Sequence, residues 1–271
     1  MEDTSLRRSW QNAYDFAGVE ERCEQALELF AAEDVDVVLL VGDLAEDGGL
    51  RELRRVLRLG RSPSGGAAAD RPAAPVLVVG GNHDGVGQLP RALRAEPGRA
   101  RMIGARGRAV AGLRVAGLPV KRRREGRWGS AKRPRTGEWG RAPVLLASHF
   151  PVLGRADDVH AAGLKHPAGL LDRERVEGTL KRRRHPTIVV TGHMHVRDSA
   201  TAGPVLQISC GAMIEPPFDA TVVTVERHGC EVAVERSAHE LGKARERRDP
   251  RMAPARQRWR FVPGRGWRAR R

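Results

Sequence analysis

Four apolar runs in this 271-residue sequence are each followed by side chains that could do chemistry. The runs are of strand length and rich in valine and leucine. The motifs that follow them are Gly42-Asp43, Gly81-Asn82-His83-Asp84, Ser148-His149 and Gly192-His193-Met194-His195. Since ligands in open α/β sheets bind outside the carboxyl ends of the strands, we expect these polar side chains to converge at one edge.

The side chains of these motifs are the ligand types of a hydrolytic metal centre. Carboxylate, amide oxygen and imidazole suit manganese, iron or zinc better than softer metals. A carboxylate such as Asp43 can bridge two cations about 3.5–4 Å apart, the spacing of hydrolytic two-metal sites. Glycines such as Gly42 and Gly81 let the backbone turn sharply around a small centre. The pattern therefore predicts two metal ions, with manganese, iron or zinc as the candidates.

In this order, from Asp43 through His195, the motifs resemble those of the calcineurin-like metallophosphoesterase superfamily. The resemblance implies a four-layer α/β/β/α sandwich with mixed sheets, and hydrolysis of a phosphate ester by metal-activated hydroxide. It also implies a ligand set: Asp43 bridges the metals, Asn82, His149 and His193 bind the second metal, and His195 binds the first.

The resemblance gives the other two residues of Gly81-Asn82-His83-Asp84 a catalytic role. His83 would donate a proton or stabilise charge at the leaving group, and Asp84 would orient its imidazole. Aspartate in the fourth place is typical of phosphodiesterase and nuclease branches. A small phosphodiester, such as a cyclic nucleotide, is therefore the expected substrate. The alternatives are a nuclease of the same superfamily, or a nucleic-acid-associated binding protein with weakened catalysis.

The first motif of the superfamily, Asp-x-His at the end of a core strand, has only an incomplete counterpart. Asp3 is a candidate ligand of the first metal, but Ser5 stands where histidine is expected. A neutral hydroxyl is a poor ligand beside imidazole, and only two residues precede Asp3. Either the first strand lies upstream or the first metal site is weakened. Asp15 is a less favoured substitute.

Apolar periodicity predicts the elements that position these motifs. Helices are expected at residues 18–32, around Leu50–Leu57 and after Asp172, and an early run of strands alternates with them. The predicted strands are 37–41, 75–79, 113–116, 143–147, 187–190, 205–209, 221–226 and 230–235. Alternation followed by consecutive strands indicates an α/β layered domain over residues 1–236. Residues 237–271 lack apolar periodicity and are predicted to form a basic, disordered tail.

Charge and composition bear on partners and location. The net charge is +15, and in the last thirty or so residues arginines interleave with Trp259, Phe261 and Trp267. This pattern predicts possible nucleic-acid binding through the tail, with unselected solvated charge as the alternative. Three widely spaced cysteines, no signal peptide and no apolar run of about 20 residues predict a cytoplasmic protein without membrane contact. The oligomeric state stays open.

Overall fold

The computed structural model describes residues 11–59, 74–85, 87–98, 100–122, 128–165, 169–229, 231–242 and 248–270. Asp3 and Ser5 lie outside these residues. The helices are α1 (Val19–Ala32), α2 (Leu50–Leu59), α3 (Gln88–Ala95), α4 (Ala156–Ala161) and α5 (Arg173–Lys181), with a 3-10 turn at Thr136–Trp139. The strands are β1 (Val38–Leu40), β2 (Val76–Val78), β3 (Ala100–Met102), β4 (Arg108–Val110), β5 (Leu113–Gly117), β6 (Val120–Arg122), β7 (Gly129–Ala131), β8 (Val144–Ser148), β9 (Thr187–Thr191), β10 (Asp198–Ala202), β11 (Val205–Ser209), β12 (Asp219–His228), β13 (Glu231–Glu240), β14 (Arg256–Val262) and β15 (Gly266–Arg270).

A three-stranded parallel sheet, in the order β1-β2-β3, forms one inner layer. Successive residues of a strand point to opposite faces, so the valine-rich runs supply two apolar faces. Val38 and Val76 pack with Leu53 of α2 and Leu89 of α3 on the helical side. This packing makes the helices an outer layer.

A six-stranded mixed sheet, in the order β10-β11-β9-β8-β5-β4, forms the facing layer. Its strands β5, β8, β9 and β11 are parallel, and the edge strands β4 and β10 are antiparallel. Val189 on one face packs with Val176 and Leu180 of α5. Val190 on the other face packs with Leu77 of β2. The order helix, sheet, sheet, helix confirms the predicted four-layer α/β/β/α sandwich with mixed sheets.

The antiparallel sheet β12-β13-β14-β15 covers another part of the same inner face. Ile188 and Ile208 of the six-stranded sheet pack there with Trp259, Phe261 and Trp267. The prediction of a disordered tail is therefore wrong for residues 248–270, and the predicted boundary at residue 236 falls inside β13. The periodicity of this region is hidden because each strand buries only a few aromatic residues between arginines.

No helix among the described residues combines the length and the apolar character that crossing a membrane requires.

Candidate metal centre

The loops at the carboxyl ends of β1, β2, β8 and β9 meet between the two facing layers. Asp43 follows β1, Asn82 follows β2, His149 follows β8, and His193 follows β9. Asp43, His149 and His193 offer ligand atoms that all lie within 4.8 Å of one another. The convergence predicted from the four motifs is therefore present in the fold.

The Nε2 atom of His149 is the geometric centre of this group. It lies 2.8 Å from Oδ1 of Asn82, 3.1 Å from Oδ2 of Asp43 and 3.2 Å from Nδ1 of His193. The other ring nitrogen, Nδ1, donates to the carbonyl oxygen of Val41 at 2.8 Å. In a neutral imidazole with that tautomer, Nε2 carries a lone pair and cannot donate to the two oxygens.

Lone pairs that face one another in a buried site are unfavourable unless a positive charge lies among them. His149 is 1% exposed and Asn82 is 6% exposed, so water does not relieve the repulsion. Either a proton on His149 or a metal cation satisfies the arrangement. The donor set of carboxylate, amide oxygen and two imidazoles fits manganese, iron or zinc. These residues therefore fit the metal that the sequence predicts.

The pKa shifts of Asp43 and His149 also favour a cation at this site. Burial acts to raise the pKa of Asp43, but the His149 imidazole beside it lowers that pKa below the usual range of an aspartate. Burial also acts to lower the pKa of His149, but Asp43 raises that pKa. The charged carboxylate at this position thus favours a cation next to it.

Gly42 and Gly81 stand where the backbone approaches neighbouring groups of the site so closely that a side chain would not fit. A Cβ on Gly81 would lie 2.1 Å from Oδ1 of Asp43, and a Cβ on Gly42 would lie 2.6 Å from Nδ1 of His149. Asp43, His193 and His195 have positive φ angles of 53°, 66° and 52°. Non-glycine residues rarely adopt this conformation, and such strain clusters at functional sites.

The expected pairing of Asp84 with the His83 imidazole is wrong. The Asp84 carboxylate, which is buried, accepts hydrogen bonds from the backbone N–H groups of Asp43 at 2.9 Å, Leu44 at 2.6 Å and Gly81 at 2.8 Å. Both oxygens are used by these donors, so Asp84 joins the loop after β1 to the loop after β2. Its role in this structure is to hold the ligand loops together.

His83 is instead oriented by the main chain. Its Nδ1 atom lies 2.8 Å from the carbonyl oxygen of Glu46, and its backbone N–H donates to Oδ1 of Asp43 at 2.8 Å. With Nδ1 donating to a carbonyl, Nε2 is the nitrogen that remains for other partners. The side chain lines the same cleft as the ligand group. His83 is thus close to the centre without belonging to its ligand group.

His195 lines the same cleft but lies outside the buried ligand group. Its Nδ1 is 2.6 Å from Oε1 of Glu215, a fully buried carboxylate. Metal-binding histidines commonly have their second nitrogen paired with a carboxylate in this way. The ring of Tyr14 packs on His195 with a centroid separation of 5.9 Å. His195 is therefore held by a buried carboxylate at a place in the cleft that is separate from the group of Asp43, His149 and His193.

Glu215 and Tyr14 were missed by sequence reasoning. Glu215 also accepts from the backbone N–H of Asn12 at 2.9 Å, so it ties the N-terminal segment to this side of the cleft. Burial first, and then the carboxylates of Glu215, Glu46 and Asp43, raise the pKa of Tyr14 well above its usual value. Its phenol thus stays protonated. Neither residue lies in a motif, and the Glu-Pro-Pro that begins at Glu215 was the one available signal.

The proposed substitute ligand Asp15 is not at the centre. Its carboxylate accepts from Nη1 of Arg22 at 2.8 Å, and this hydrogen bond lowers the pKa of Asp15. The substitution of Asp15 for the missing ligand is therefore wrong.

Comparison with known families agrees with this geometry. The model of the calcineurin-like phosphoesterase family matches residues 15–197. The chain belongs to this family. No curated protein sequence matches the chain significantly.

The solved structures that match the phosphoesterase chain include a fish phosphatase and a mycobacterial hydrolase. A dimetal phosphatase from Danio rerio is 16% identical, with a TM-score of 0.52 over 88% of this chain and 90% of that one. The phosphopantetheinyl hydrolase of Mycobacterium tuberculosis is also 16% identical, with a TM-score of 0.38 over 65% of this chain and 79% of that one. The likeness to the Danio rerio structure shows the fold.

Membership in the family supports metal-dependent hydrolysis of a phosphoester at a dinuclear centre. In this chain Asp43, His149 and His193 form the candidate site for one of the metals. The first candidate ligand on the other side, Asp3, lies outside the described residues.

Proposed function

We propose that this phosphoesterase hydrolyses a small phosphodiester, with manganese, iron or zinc at the site formed by Asp43, Asn82, His149 and His193. The observation that carries the proposal is the convergence of these donors on Nε2 of His149, in the lining of a cleft of about 1510 Å³. Bound metal ions would supply Lewis acidity and a hydroxide nucleophile at neutral pH. The remaining chemistry belongs to the chain's own residues.

His83 is proposed as the residue that acts on the leaving group. The Glu46 carbonyl fixes its Nδ1, which leaves Nε2 free for the cleft that the side chain lines. A protonated Nε2 could give its proton to the departing alkoxide oxygen, while the contact to Asp43 keeps the backbone of His83 in place. Asp84 supports both residues indirectly, because it holds the two loops in register.

The charge of the cleft favours a substrate with little negative charge. Among the described residues that line it, the lysine and arginine side chains are Lys165 and Arg55, and Arg55 pairs with Glu20. Carboxylates are more numerous along the same walls: Glu33, Asp34, Asp36, Asp43, Glu46 and Glu52, besides Glu20, which pairs with Arg55, and Asp219, which pairs with Arg197. A monoanionic diester meets less repulsion there than a dianionic monoester or a polyanionic nucleic acid.

The tail does not support the nuclease alternative. Trp259, Phe261 and Trp267 are buried against the six-stranded sheet and cannot stack on bases. Arg258 pairs with Glu235 at 2.6 Å, so part of the tail's charge is already matched.

A substrate panel tests the proposal. With manganese added, bis-p-nitrophenyl phosphate should be hydrolysed at least about tenfold faster than p-nitrophenyl phosphate, and single-stranded DNA should not be cut. Faster turnover of the monoester would make the protein a phosphatase. Degradation of DNA would favour the nuclease. A matched protein with Asp43→Asn should be inactive on every substrate, which excludes a contaminating hydrolase.

A further inference from the structure

The strands β14 and β15 sort their side chains onto two faces of the antiparallel sheet. Successive residues of a strand point to opposite faces. Trp259, Phe261 and Trp267 are buried against the six-stranded sheet, so the residues that alternate with them point outward. Five of these outward positions carry arginine and form what we call the arginine face: Arg256, Arg258, Arg260, Arg268 and Arg270.

Strand pairing sets these arginines against one another. Arg258 of β14 lies directly opposite Arg270 of β15, and Arg260 lies directly opposite Arg268. The Cβ atoms of opposite residues are about 4.5–5.5 Å apart, and like charges at such positions destabilise a sheet. An anion placed over the two pairs would relieve this repulsion.

The carboxylates of the same sheet neutralise only part of this charge. Glu235 of β13 pairs with two arginines of β14, and Glu231 pairs with the third. Among the described residues, no carboxylate pairs with Arg268 or Arg270 of β15. Glu226 points to the same side but lies on β12, two strands away from β14. The five arginines and their two paired carboxylates therefore leave an excess of three positive charges.

The chemistry of the arginine face suits phosphate groups. The planar guanidinium of arginine can donate two parallel hydrogen bonds to one phosphate, which the ammonium of lysine cannot do. Residues 251–270 contain seven arginines, no lysine and no acidic residue. A polymer with closely spaced phosphates would meet several of these guanidinium groups at once.

The positions of the apolar side chains select the kind of polymer. Single-stranded nucleic acids are held by bases that stack on aromatic side chains, but the aromatic residues of β14 and β15 are buried on the opposite face. Binding at a membrane interface adds apolar side chains to the charge. Here the outward positions of the two strands offer one aliphatic side chain, the half-buried Val262. A duplex needs neither, because its phosphates lie on its outside.

We propose that the arginine face binds the phosphate backbone of a nucleic-acid duplex. Contacts from guanidinium groups to phosphate oxygens carry no sequence information, so the binding is independent of sequence. Among the described residues, none from β14 or β15 lines the cleft. The duplex is therefore a binding partner and not the substrate, and the cleft stays open to a small diester while the duplex is bound.

The salt dependence of duplex binding tests this inference on the full chain. The fluorescence anisotropy of a labelled DNA duplex of about 20 base pairs should give a Kd of about 10⁻⁶ M or lower in about 50 mM potassium chloride. The logarithm of the association constant should fall with the logarithm of the salt concentration at a slope of about −3 to −4.5, the value for three to five phosphate contacts. A slope flatter than about −1, or tighter binding of a single strand of the same length, would overturn the inference.

A double substitution on β15 locates the binding. Arg268→Gln with Arg270→Gln should weaken duplex binding at least about tenfold and make the salt slope shallower by about two. The matched control, Arg91→Gln with Arg94→Gln, removes the same charge from exposed positions of α3 and should bind almost as well as the unaltered protein. Equal weakening by both double variants would show attraction by net charge alone, which contradicts a defined face.

Two further measurements separate this inference from its alternatives. Hydrolysis of bis-p-nitrophenyl phosphate by the β15 variant should be unchanged, and a clear loss would place these arginines in the substrate site. Sedimentation with vesicles of phosphatidylcholine and phosphatidylserine should pellet little protein. Strong vesicle binding that the β15 variant loses, without duplex binding, would assign the face to a membrane and overturn the inference. If the variant fails to fold, the salt slope of the unaltered protein still decides. Absence of duplex binding leaves the proposed hydrolysis untouched.

Discussion

The two sides of the cleft differ in how completely they are built. On one side Asp43, Asn82, His149 and His193 converge within the two facing layers, and Asp84 fastens their loops through backbone hydrogen bonds. On the other side His195 is held by Glu215, and its further neighbours come from the N-terminal segment. The group of four donors therefore lies at the ends of β1, β2, β8 and β9, whereas His195 is held by residues outside this group.

This difference predicts unequal metal sites. A preorganised group of four donors loses little entropy when a cation binds, whereas a site that has only His195 and a share of the bridging Asp43 among the described residues leaves several coordination positions to water. Turnover needs both metals in a two-metal mechanism. Activity should therefore appear only when the weaker site is occupied. The dependence of activity on metal concentration should then reflect the affinity of that weaker site.

Metal removal should have the largest effect. After EDTA treatment and dialysis, hydrolysis of bis-p-nitrophenyl phosphate should fall by more than about 10³-fold, since losing even one hydrogen-bond donor to the transition state costs about 10²–10³-fold. Added manganese, cobalt or zinc should restore it, and a sample dialysed without EDTA serves as the control. Undiminished turnover after chelation would contradict a metal centre on either side of the cleft.

Removal of His83 should affect turnover and leave both metal sites intact. His83→Ala should lower kcat by about 10²–10⁴-fold, the contribution typical of a general acid, with unchanged metal content. His160→Ala, an exposed residue on α4, is the matched control and should retain full activity. Loss of metal from His83→Ala would mean that His83 belongs to the ligand group.

Changing Glu215 should distinguish the two metal sites, because, among the described residues, Glu215 contacts His195 and none of the four donors around His149. Glu215→Gln keeps the shape of the side chain but removes the charge that fixes His195, and such partners typically contribute about 10–100-fold in metal affinity. The weaker metal-binding step should shift by that factor, and the tighter step should stay within about twofold. Equal weakening of both steps in a metal titration would show that Glu215 stabilises the fold rather than His195.

The loss of the Asp84 carboxylate should have the smallest effect on chemistry and a clear one on stability. Asp84→Ala leaves the partly buried N–H groups of Asp43, Leu44 and Gly81 without their acceptor, at a cost of about 2 kcal/mol. Thermal unfolding of the metal-free protein measures this cost. Asp157→Ala, an exposed aspartate on α4, should change stability by less than about 0.5 kcal/mol. An unchanged midpoint for Asp84→Ala would remove its role in joining the loops.

Much of this architecture could be predicted from the sequence. The valine-rich runs that become β1, β2, β8 and β9 lie between layers on both faces, so their apolar pattern is continuous and easily read. The candidate ligands Asp43, Asn82, His149 and His193 come shortly after these strands. Short elements such as β3 and α4 were not predicted, because three to six residues carry too little periodicity.

Other features depend on contacts between distant residues. His195 finds Glu215 twenty positions later in a loop, and nothing in the local pattern specifies that pair. Asp84 was expected to pair with its neighbour His83, but the backbone donors of the adjacent loop compete for both of its oxygens. The strands β14 and β15 were not predicted, because they are stabilised by pairing in the β13-β14-β15 part of the sheet and by the burial of Trp259 and Trp267.

The metal-binding stoichiometry and affinities of three proteins test the central claim most directly. Titration of the metal-free chain with manganese should show two unequal steps, with activity appearing at the weaker one. His193→Ala should lose the tighter step, and His195→Ala should lose the weaker step while keeping the tighter one. A single step in the unaltered protein, or loss of the tighter step in His195→Ala, would contradict the division of the cleft into a complete site and an open one.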